Sequence, residues 1–145
     1  MKKLLLVFPL LLILTVVGVG AQDKGEDSRL CQRCGMDRTI YANSCMLIVY
    51  ADETRVGTCS LHCTAAELKE HSGKKVKSLL VADYFSKKLI DARKAAWVIG
   101  GSKSGVMTAT PKWAFAGKGS AERFIAANGG KLAGFDEALT VAKKE

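Results

Sequence analysis

The chain has 145 residues, with 22 Lys and Arg against 14 Asp and Glu and a net charge of +8 at pH 7. This length suits one small domain, or two closely packed halves, with a modest core that needs no cross-links. The basic residues are scattered and do not interleave with aromatics, which argues against a nucleic-acid-binding face and favours a solvated basic surface.

The N-terminal segment, residues 1–21, has the pattern of a secretory signal peptide. Two lysines precede an apolar stretch, Leu4–Val17, that is too short to span a bilayer comfortably. Small residues then predict cleavage after Ala21, and the alternative is an uncleaved N-terminal membrane anchor. We therefore expect an exported, periplasmic protein with no other membrane span, in which residues 22–30 form a polar, flexible leader.

The remaining residues, 31–145, are predicted to form one domain, whose first half is residues 31–90. That half opens with a thiol-bearing turn, which we call the knuckle (Cys31–Asp37). A buried strand, a returning strand, a helix with one apolar face and a third strand follow in turn. Their predicted bounds are Cys45–Tyr50, Arg55–Cys59, Ser60 as N-cap to about His71, and Val76–Phe85.

The second half, residues 91–145, repeats this order loosely. The predicted elements are strands at Ala95–Ile99, Val106–Thr108 and Lys112–Ala116, a helix capped by Ser120 and ending at Ala127, a strand at Lys131–Phe135 and a last helix from Asp136. Strand, strand, helix, strand thus occurs twice, although the two halves share negligible sequence identity. The pattern predicts an α+β fold of two related ββα(β) units packed together.

Four cysteines in two pairs carry the chemistry of the first half: Cys31, Cys34, Cys59 and Cys63. The first pair flanks a tight turn, while the second pair falls at a strand end and in the first turn of a helix, where the N-terminal dipole stabilises thiolate. A knuckle combined with a strand-to-helix pair is typical of treble-clef zinc sites. The spacing indicates a metal site or disulfides without deciding between them.

Three further side chains near these cysteines are weighed as ligands. The thioether of Met36 would be a poor ligand for zinc but a good one for Cu(I), although a methionine there could equally be a core residue. His62 lies between the paired cysteines in sequence and is a further candidate, although it could face away from them. Cys45 leads the first buried strand and is interpreted as a packed small hydrophobe, otherwise as a spare ligand.

A series of short motifs, in order from residue 31 to about residue 139, resembles the nitrous oxide reductase accessory protein family, the NosL-type copper-binding proteins. The segment from Cys31 to Cys63 also resembles small heavy-metal trafficking modules with a treble-clef core. The motifs that carry the family resemblance are Cys31-x-x-Cys34-Gly35-Met36, Met46, Val81-x-Asp83-Tyr84, Ile90-Asp91-Ala92, Ala96-Trp97-Val98-x-Gly100-Gly101-Ser102, Met107, Ala114-Phe115, Ala121-x-x-Phe124, Gly129-Gly130 and Phe135-Asp136-Glu137.

The resemblance implies an extracytoplasmic protein that binds Cu(I) and passes it to a copper enzyme or copper transporter, nitrous oxide reductase being the best-known client. It implies Cys34 and Met36 as the first ligand set and Met107 as the second. We therefore expect a metallochaperone without catalytic activity. Two alternatives stay open: a structural zinc module with a four-cysteine site, and a secreted domain stapled by disulfides without metal.

Overall fold

The computed structural model describes residues 28–145. The predicted signal peptide and the predicted leader up to residue 27 lie outside the described residues. Between residues 28 and 145, no helix combines the length and the apolar character that crossing a bilayer requires. The described chain has mixed helices and antiparallel strands, so the predicted α+β class is confirmed.

The first sheet is built from an apolar hairpin and two later strands. Its elements are β1 (Met46–Tyr50), β2 (Arg55–Thr58), α1 (Leu61–Glu70), β3 (Val76–Ala82) and β4 (Leu89–Asp91). The strand order is β2-β1-β3-β4, and every neighbouring pair is antiparallel. In the register, Ile48 of β1 pairs with Val56 on one side and Leu79 on the other. The apolar run of β1 fits this interior position, because a strand inside a sheet is covered on most sides.

The second sheet has three strands and two helices. Its elements are β5 (Ala96–Ile99), β6 (Lys112–Phe115), α2 (Lys118–Asn128), β7 (Lys131–Ala133) and α3 (Phe135–Ala142). The strand order is β6-β5-β7, again antiparallel throughout. Val98 of β5 pairs with Trp113 on one side and Leu132 on the other.

The two sheets share one topology. In each, the first strand lies between the second and third strands, and a helix connects the second strand to the third. Ile48 and Val98 hold equivalent places at the centres of the two units. The predicted duplication of a ββα(β) unit is therefore confirmed by topology, although the sequences of the two units have diverged.

The buried apolar residues divide into two clusters that meet across the sheets. One cluster joins β1 and β3 to α1, α3 and the fully buried Trp97, whose indole N–H donates to the Ala92 carbonyl oxygen at 2.9 Å. The other cluster joins Cys31, Cys59 and Cys63 to side chains of β5, β6 and α2. The thiols of the first unit are thus packed against the second unit.

Several predicted bounds are corrected by the structure. The segment Val106–Thr108 is not a strand, because Met107 has a φ of +53°, outside the extended region. The three-residue strand β4 was not predicted, and it pairs with β3. The strand that begins at Val76 ends at Ala82 rather than Phe85, because the chain turns at Asp83, whose carbonyl oxygen accepts from the Lys87 amide at 2.8 Å.

The helices of the second half also begin elsewhere. α2 starts at Lys118 with Gly117 as N-cap, so the predicted cap Ser120 lies inside the first turn, where its amide bonds to the Gly117 carbonyl oxygen at 3.1 Å. β7 ends at Ala133 because Gly134 is the N-cap of α3, which starts at Phe135.

Candidate metal centre

Four cysteine sulfurs converge at one point. The Sγ atoms of Cys31, Cys34, Cys59 and Cys63 all lie within 4.8 Å of one another. The Sγ atom of Cys59 is 3.6 Å from that of Cys34 and 3.7 Å from that of Cys63. A disulfide would bring two sulfurs to about 2.05 Å, and all five cysteines of the chain are free thiols in the structure. We call this group the four-thiol cluster.

The knuckle supplies two of the sulfurs from a tight turn. The Cys31 amide donates to the Met36 carbonyl oxygen at 2.8 Å, and the Gly35 amide donates to the Cys31 carbonyl oxygen at 2.8 Å. Gly35 has a φ of +76°, which residues with a Cβ rarely adopt. The Gln32 amide donates to the Gly57 carbonyl oxygen at 3.0 Å, so the turn is fastened directly to β2.

The end of β2 and the start of α1 supply the other two sulfurs. Cys59 follows β2, and Cys63 lies in the first turn of α1, as predicted. Ser60 occupies the N-cap position, but its side chain makes no cap hydrogen bond. The Ser44 hydroxyl instead fixes the corner by donating to the Cys59 carbonyl oxygen at 2.7 Å.

Exposure differs sharply among the four thiols. Cys59 is 0% exposed and Cys31 and Cys63 are each 2% exposed, whereas Cys34 is on the surface. The buried side of the cluster is covered by apolar side chains of the second unit and by Tyr84, which lies between β3 and β4 of the first unit. We call four of these the aromatic cluster (Tyr84, Trp113, Phe115 and Phe124), in which the Tyr84 ring lies 4.8–5.6 Å from the other three. The four-thiol cluster is therefore buried on the side of Cys31, Cys59 and Cys63 and exposed at Cys34.

The three buried thiols of the cluster differ in pKa. Hydrogen bonds from the Cys59 and Cys63 thiols lower the pKa of Cys31 well below its ordinary value. The same contact with the Cys31 sulfur raises the pKa of Cys59 and raises that of Cys63 to about 12. Without an ion, the cluster thus carries one stabilised thiolate beside protonated neighbours. A cation that binds there displaces the remaining protons, which couples metal affinity to pH.

The donor set and its spacing suit a soft metal ion. In a tetrahedral zinc site with Zn–S bonds of about 2.3 Å, neighbouring sulfurs lie about 3.8 Å apart. A trigonal ion with bonds of that length separates its sulfurs by about 4.0 Å. The 3.6 and 3.7 Å separations around Cys59 are close to both values. Thiolates serve Cu(I) and zinc alike, so the cluster fits either ion.

The other three predicted ligands lie in different surroundings. Met36 is half-buried at the end of the knuckle and packs against the apolar cluster that contains the buried thiols. Met107 is 44% exposed on the loop between β5 and β6. The Nδ1 atom of His62 lies 4.0 Å from Oε2 of Glu145, and His62 is not a member of the four-thiol cluster. The structure therefore does not bring His62 together with the four sulfurs.

Cys45 is separated from the cluster by its own hydrogen bonds. Its thiol donates to the carbonyl oxygens of Arg38 and Tyr41 at 3.2 and 3.3 Å. The side chain is buried, and burial raises its pKa, which disfavours the thiolate that a metal needs. These contacts support its interpretation as a packed small residue rather than as a spare ligand.

The aromatic cluster was the part of the site that sequence reasoning missed. Phe115 and Phe124 belong to motifs of the family resemblance, but no spacing rule connects them to cysteines more than 50 residues away. The sequence feature that could have indicated this cluster is the number of aromatic residues in the second unit. The first unit has the thiols but few large side chains next to them in sequence.

Comparisons with known proteins indicate the family and the fold. A comparison with protein-family models matches residues 24–141 to the NosL family. Among solved structures, the chain is similar to the crystal structure of the copper chaperone NosL from Shewanella denitrificans, with 28% sequence identity and a TM-score of 0.61. That match covers 76% of this chain and 89% of the other. A search of curated proteins found no match.

Proposed function

The chain belongs to the NosL family, and we propose that it is an exported metallochaperone that carries Cu(I) and has no catalytic activity. The observation that carries the proposal is the four-thiol cluster, in which three buried sulfurs and one exposed sulfur surround a single point. The solved relative, described as a copper chaperone, supports copper as the cargo.

The ligands that we propose are Cys34 and Met36, together with one or more of Cys31, Cys59 and Cys63. A carrier must hold its ion tightly and yet release it by ligand exchange. Thiolate and thioether ligands suit Cu(I), which is stable with two or three sulfurs, so that an acceptor's sulfur can enter a free position. Met107 stays a secondary candidate, as the family resemblance implies, on a loop that an accepting protein could reach.

The client and the compartment are finer parts of this proposal. The predicted signal peptide supports export, with cleavage after Ala21, and the family resemblance supports an extracytoplasmic copper enzyme such as nitrous oxide reductase as the acceptor. After cleavage, which removes Lys2 and Lys3, the chain keeps 20 Lys and Arg against 14 Asp and Glu, and this net charge of +6 favours an acidic partner.

Metal analysis of the protein purified without oxygen from copper-fed cells tests the proposal. We expect about one copper per chain in the wild type, and a lower copper content in a Cys59→Ser variant, because Cys59 touches two other sulfurs. A protein that contains no copper under these conditions contradicts the proposal. The matched control is Cys45→Ser, whose thiol lies outside the cluster.

A structural zinc site is the second candidate, and the presence of four sulfurs within 4.8 Å of one another supports it, because four thiolates can close a tetrahedron around zinc. Such a site would retain zinc in the presence of excess Cu(I) and a thiol acceptor. Removing the zinc would unfold the first unit, which circular dichroism in the presence of a chelator would record.

A further inference from the structure

We propose that Cys34 is the residue through which the ion leaves the protein, so that the acceptor takes the metal from Cys34 and from no other thiol. This inference rests on the proposed carrier function and adds to it the order in which the sulfurs release the ion. It follows from the burial of the four thiols and from the way each is held.

Burial restricts which sulfur an accepting protein can approach. Cys31, Cys59 and Cys63 are each at most 2% exposed, and the aromatic cluster and its neighbours pack over them. Side chains with so little exposed surface leave another protein's thiol almost no room to approach their sulfurs. Cys34 is exposed and is 3.6 Å from the Cys59 sulfur, so an ion can pass to the surface by remaining on Cys34 while its other bonds break.

The backbone around each thiol points to the same order. Cys59 and Cys63 are fixed by the hydrogen-bonded end of β2 and by the first turn of α1, and the Ser44 hydroxyl holds the carbonyl oxygen of Cys59. Cys34 instead lies at the tip of a turn beside Gly35, where a Cβ would meet nothing within 4 Å. Open space at the tip leaves room for Cys34 to move outward.

The side chain next to Cys34 in the turn makes an exposed ion pair. The Arg33 guanidinium pairs with the Glu70 carboxylate at the end of α1, and their side chains are 38% and 54% exposed. An ion pair in such a position contributes little to stability and is weakened by salt. The side-chain contact beside Cys34 therefore does little to hold the exposed thiol in place.

The transfer itself is a series of ligand substitutions without redox change. A thiolate of the acceptor forms a bond to the Cu(I) held by Cys34, while the bonds from the ion to the buried thiolates break. Cys31 stays ionised when it is released, whereas every other released thiolate takes up one proton from water. Each acceptor thiol gives up one proton to water as it binds the ion, so water supplies or accepts any difference and the protons balance. The bond between Cu(I) and the Cys34 sulfur breaks last, and copper stays in the +1 state throughout.

Transfer rates from two serine variants test this order. Cys34→Ser and Cys63→Ser each remove one thiolate and leave three. The proteins are loaded with one Cu(I) without oxygen and mixed with excess of a cysteine-containing peptide coupled to a folded carrier protein. At successive times each variant is separated from the acceptor, and the copper that it still holds is measured by elemental analysis. Circular dichroism confirms the fold of each variant.

We expect Cys34→Ser to transfer copper more slowly than wild type by about tenfold or more, equivalent to a barrier increase of about 1.4 kcal/mol. Cys63→Ser should transfer at the wild-type rate or faster, because it holds the ion with one bond fewer and keeps the exposed thiol. Cys31→Ser, which also removes a buried thiol, replaces it if Cys63→Ser does not fold. The difference in transfer rate between Cys34→Ser and the wild type should become smaller when the same peptide is added without the folded protein to which it was coupled.

The outcomes distinguish a failure of this inference from a failure of the proposed carrier function. If the wild type transfers copper and both variants transfer it faster, the thiols are equivalent and the order proposed for Cys34 is wrong while the carrier function stands. If the wild type keeps its copper against excess acceptor, the carrier function and this inference are both overturned. A Cys34→Ser protein that cannot hold Cu(I) also overturns the inference, which requires three buried sulfurs to suffice.

Discussion

The Asp83 carboxylate fastens the two sheets to each other, because its Oδ1 atom accepts a hydrogen bond of 2.8 Å from the Ala116 amide. Asp83 directly follows β3 of the first sheet, and Ala116 directly follows β6 of the second. The other carboxylate oxygen, Oδ2, accepts from the amide and the hydroxyl of Ser86 at 2.8 and 2.7 Å. The side chain is almost fully buried, so these three donors depend on one residue.

Asp83→Asn should destabilise the protein by about 2 kcal/mol, because the amide nitrogen cannot accept and leaves a buried donor without a partner. Denaturant unfolding followed by circular dichroism measures the change in free energy. Asp91→Asn is the matched control, since Asp91 is exposed and accepts from the Arg93 amide in a similar turn. Equal losses in both variants would contradict the role of Asp83 between the sheets.

The Lys112–Glu145 pair predicts a loss of stability in acid. The Lys112 side chain is 1% exposed and its ammonium lies 2.7 Å from the Glu145 carboxylate. Burial alone would raise the pKa of Glu145, but hydrogen bonds from Lys112, Thr108 and the Thr110 amide lower it to about 2 from an ordinary value of 4.5. Because the folded pKa is the lower one, the stabilisation is complete above pH 4.5 and is lost as the pH falls towards 2.

Glu145→Gln should therefore remove this part of the pH dependence and cost about 2 kcal/mol at neutral pH, since it leaves the buried ammonium without its charge partner. Unfolding free energies measured from pH 7 down to pH 2 check both statements. Glu137→Gln is the control, because Glu137 pairs with Lys131 on the surface and should cost less than about 1 kcal/mol. An unchanged acid profile in Glu145→Gln would contradict the prediction.

Gly35→Ala should weaken the knuckle without creating a clash. A Cβ at Gly35 meets nothing within 4 Å, so the penalty comes only from its φ of +76° and should be about 1–2 kcal/mol. We expect weaker metal binding by the same free energy, measured by competition with a chelator. Gly119→Ala in α2 also adds a Cβ in open space but at a helical position, where alanine should stabilise. A neutral Gly35→Ala would show that the turn tolerates another conformation.

Cys45→Ala should leave the metal content unchanged. Its thiol donates to two backbone carbonyl oxygens and lies outside the four-thiol cluster, so no ligand is lost. Stability should fall by about 1 kcal/mol, a typical cost for trimming a buried side chain. Elemental analysis and thiol counting on the unfolded variant check the prediction, and loss of metal would assign Cys45 a place among the ligands.

Met36→Leu should lower the affinity for Cu(I) by about tenfold and leave the affinity for zinc unchanged. Leucine keeps the volume of a half-buried side chain, so the fold should lose less than about 1.5 kcal/mol. Competition titrations with Cu(I) and zinc chelators measure both affinities. Met46→Leu is the control, since Met46 is buried in β1 and belongs to the other apolar cluster. A Cu(I) affinity that stays the same would make Met36 a core residue.

The first unit could be predicted because its signals are local. The apolar run from Cys45 to Tyr50, the turn that follows and the N-cap position of Ser60 each depend on a few neighbouring residues, and β1, β2 and α1 lie where those residues place them. The sequence also predicted that the two cysteine pairs lie close together, because a hairpin returns the chain to the point where β1 begins.

The second unit was harder because long-range contacts decide it. Val106 is buried next to the thiols, which gives the segment an apolar character without making it a strand. The loop around Met107 is instead fixed by Glu145, which accepts from Thr108 and from the Thr110 amide, 35 residues away along the chain. β4 has only three residues at a sheet edge, too few for an alternating pattern to be recognised.

The four-thiol cluster joins two stretches of chain, and in it the sulfurs of Cys34 and Cys59, 25 positions apart, lie 3.6 Å from each other. Residues 28–44 consist of turns and one isolated bridge, so hydrogen bonds and not a helix or strand of their own hold them in place. An ion that binds only the assembled cluster stabilises this segment by the free energy of binding. Proteases act on transiently opened chain, so the molecules that have lost their cargo should be degraded first, and limited proteolysis of loaded and empty protein would measure how strongly occupancy sets lifetime.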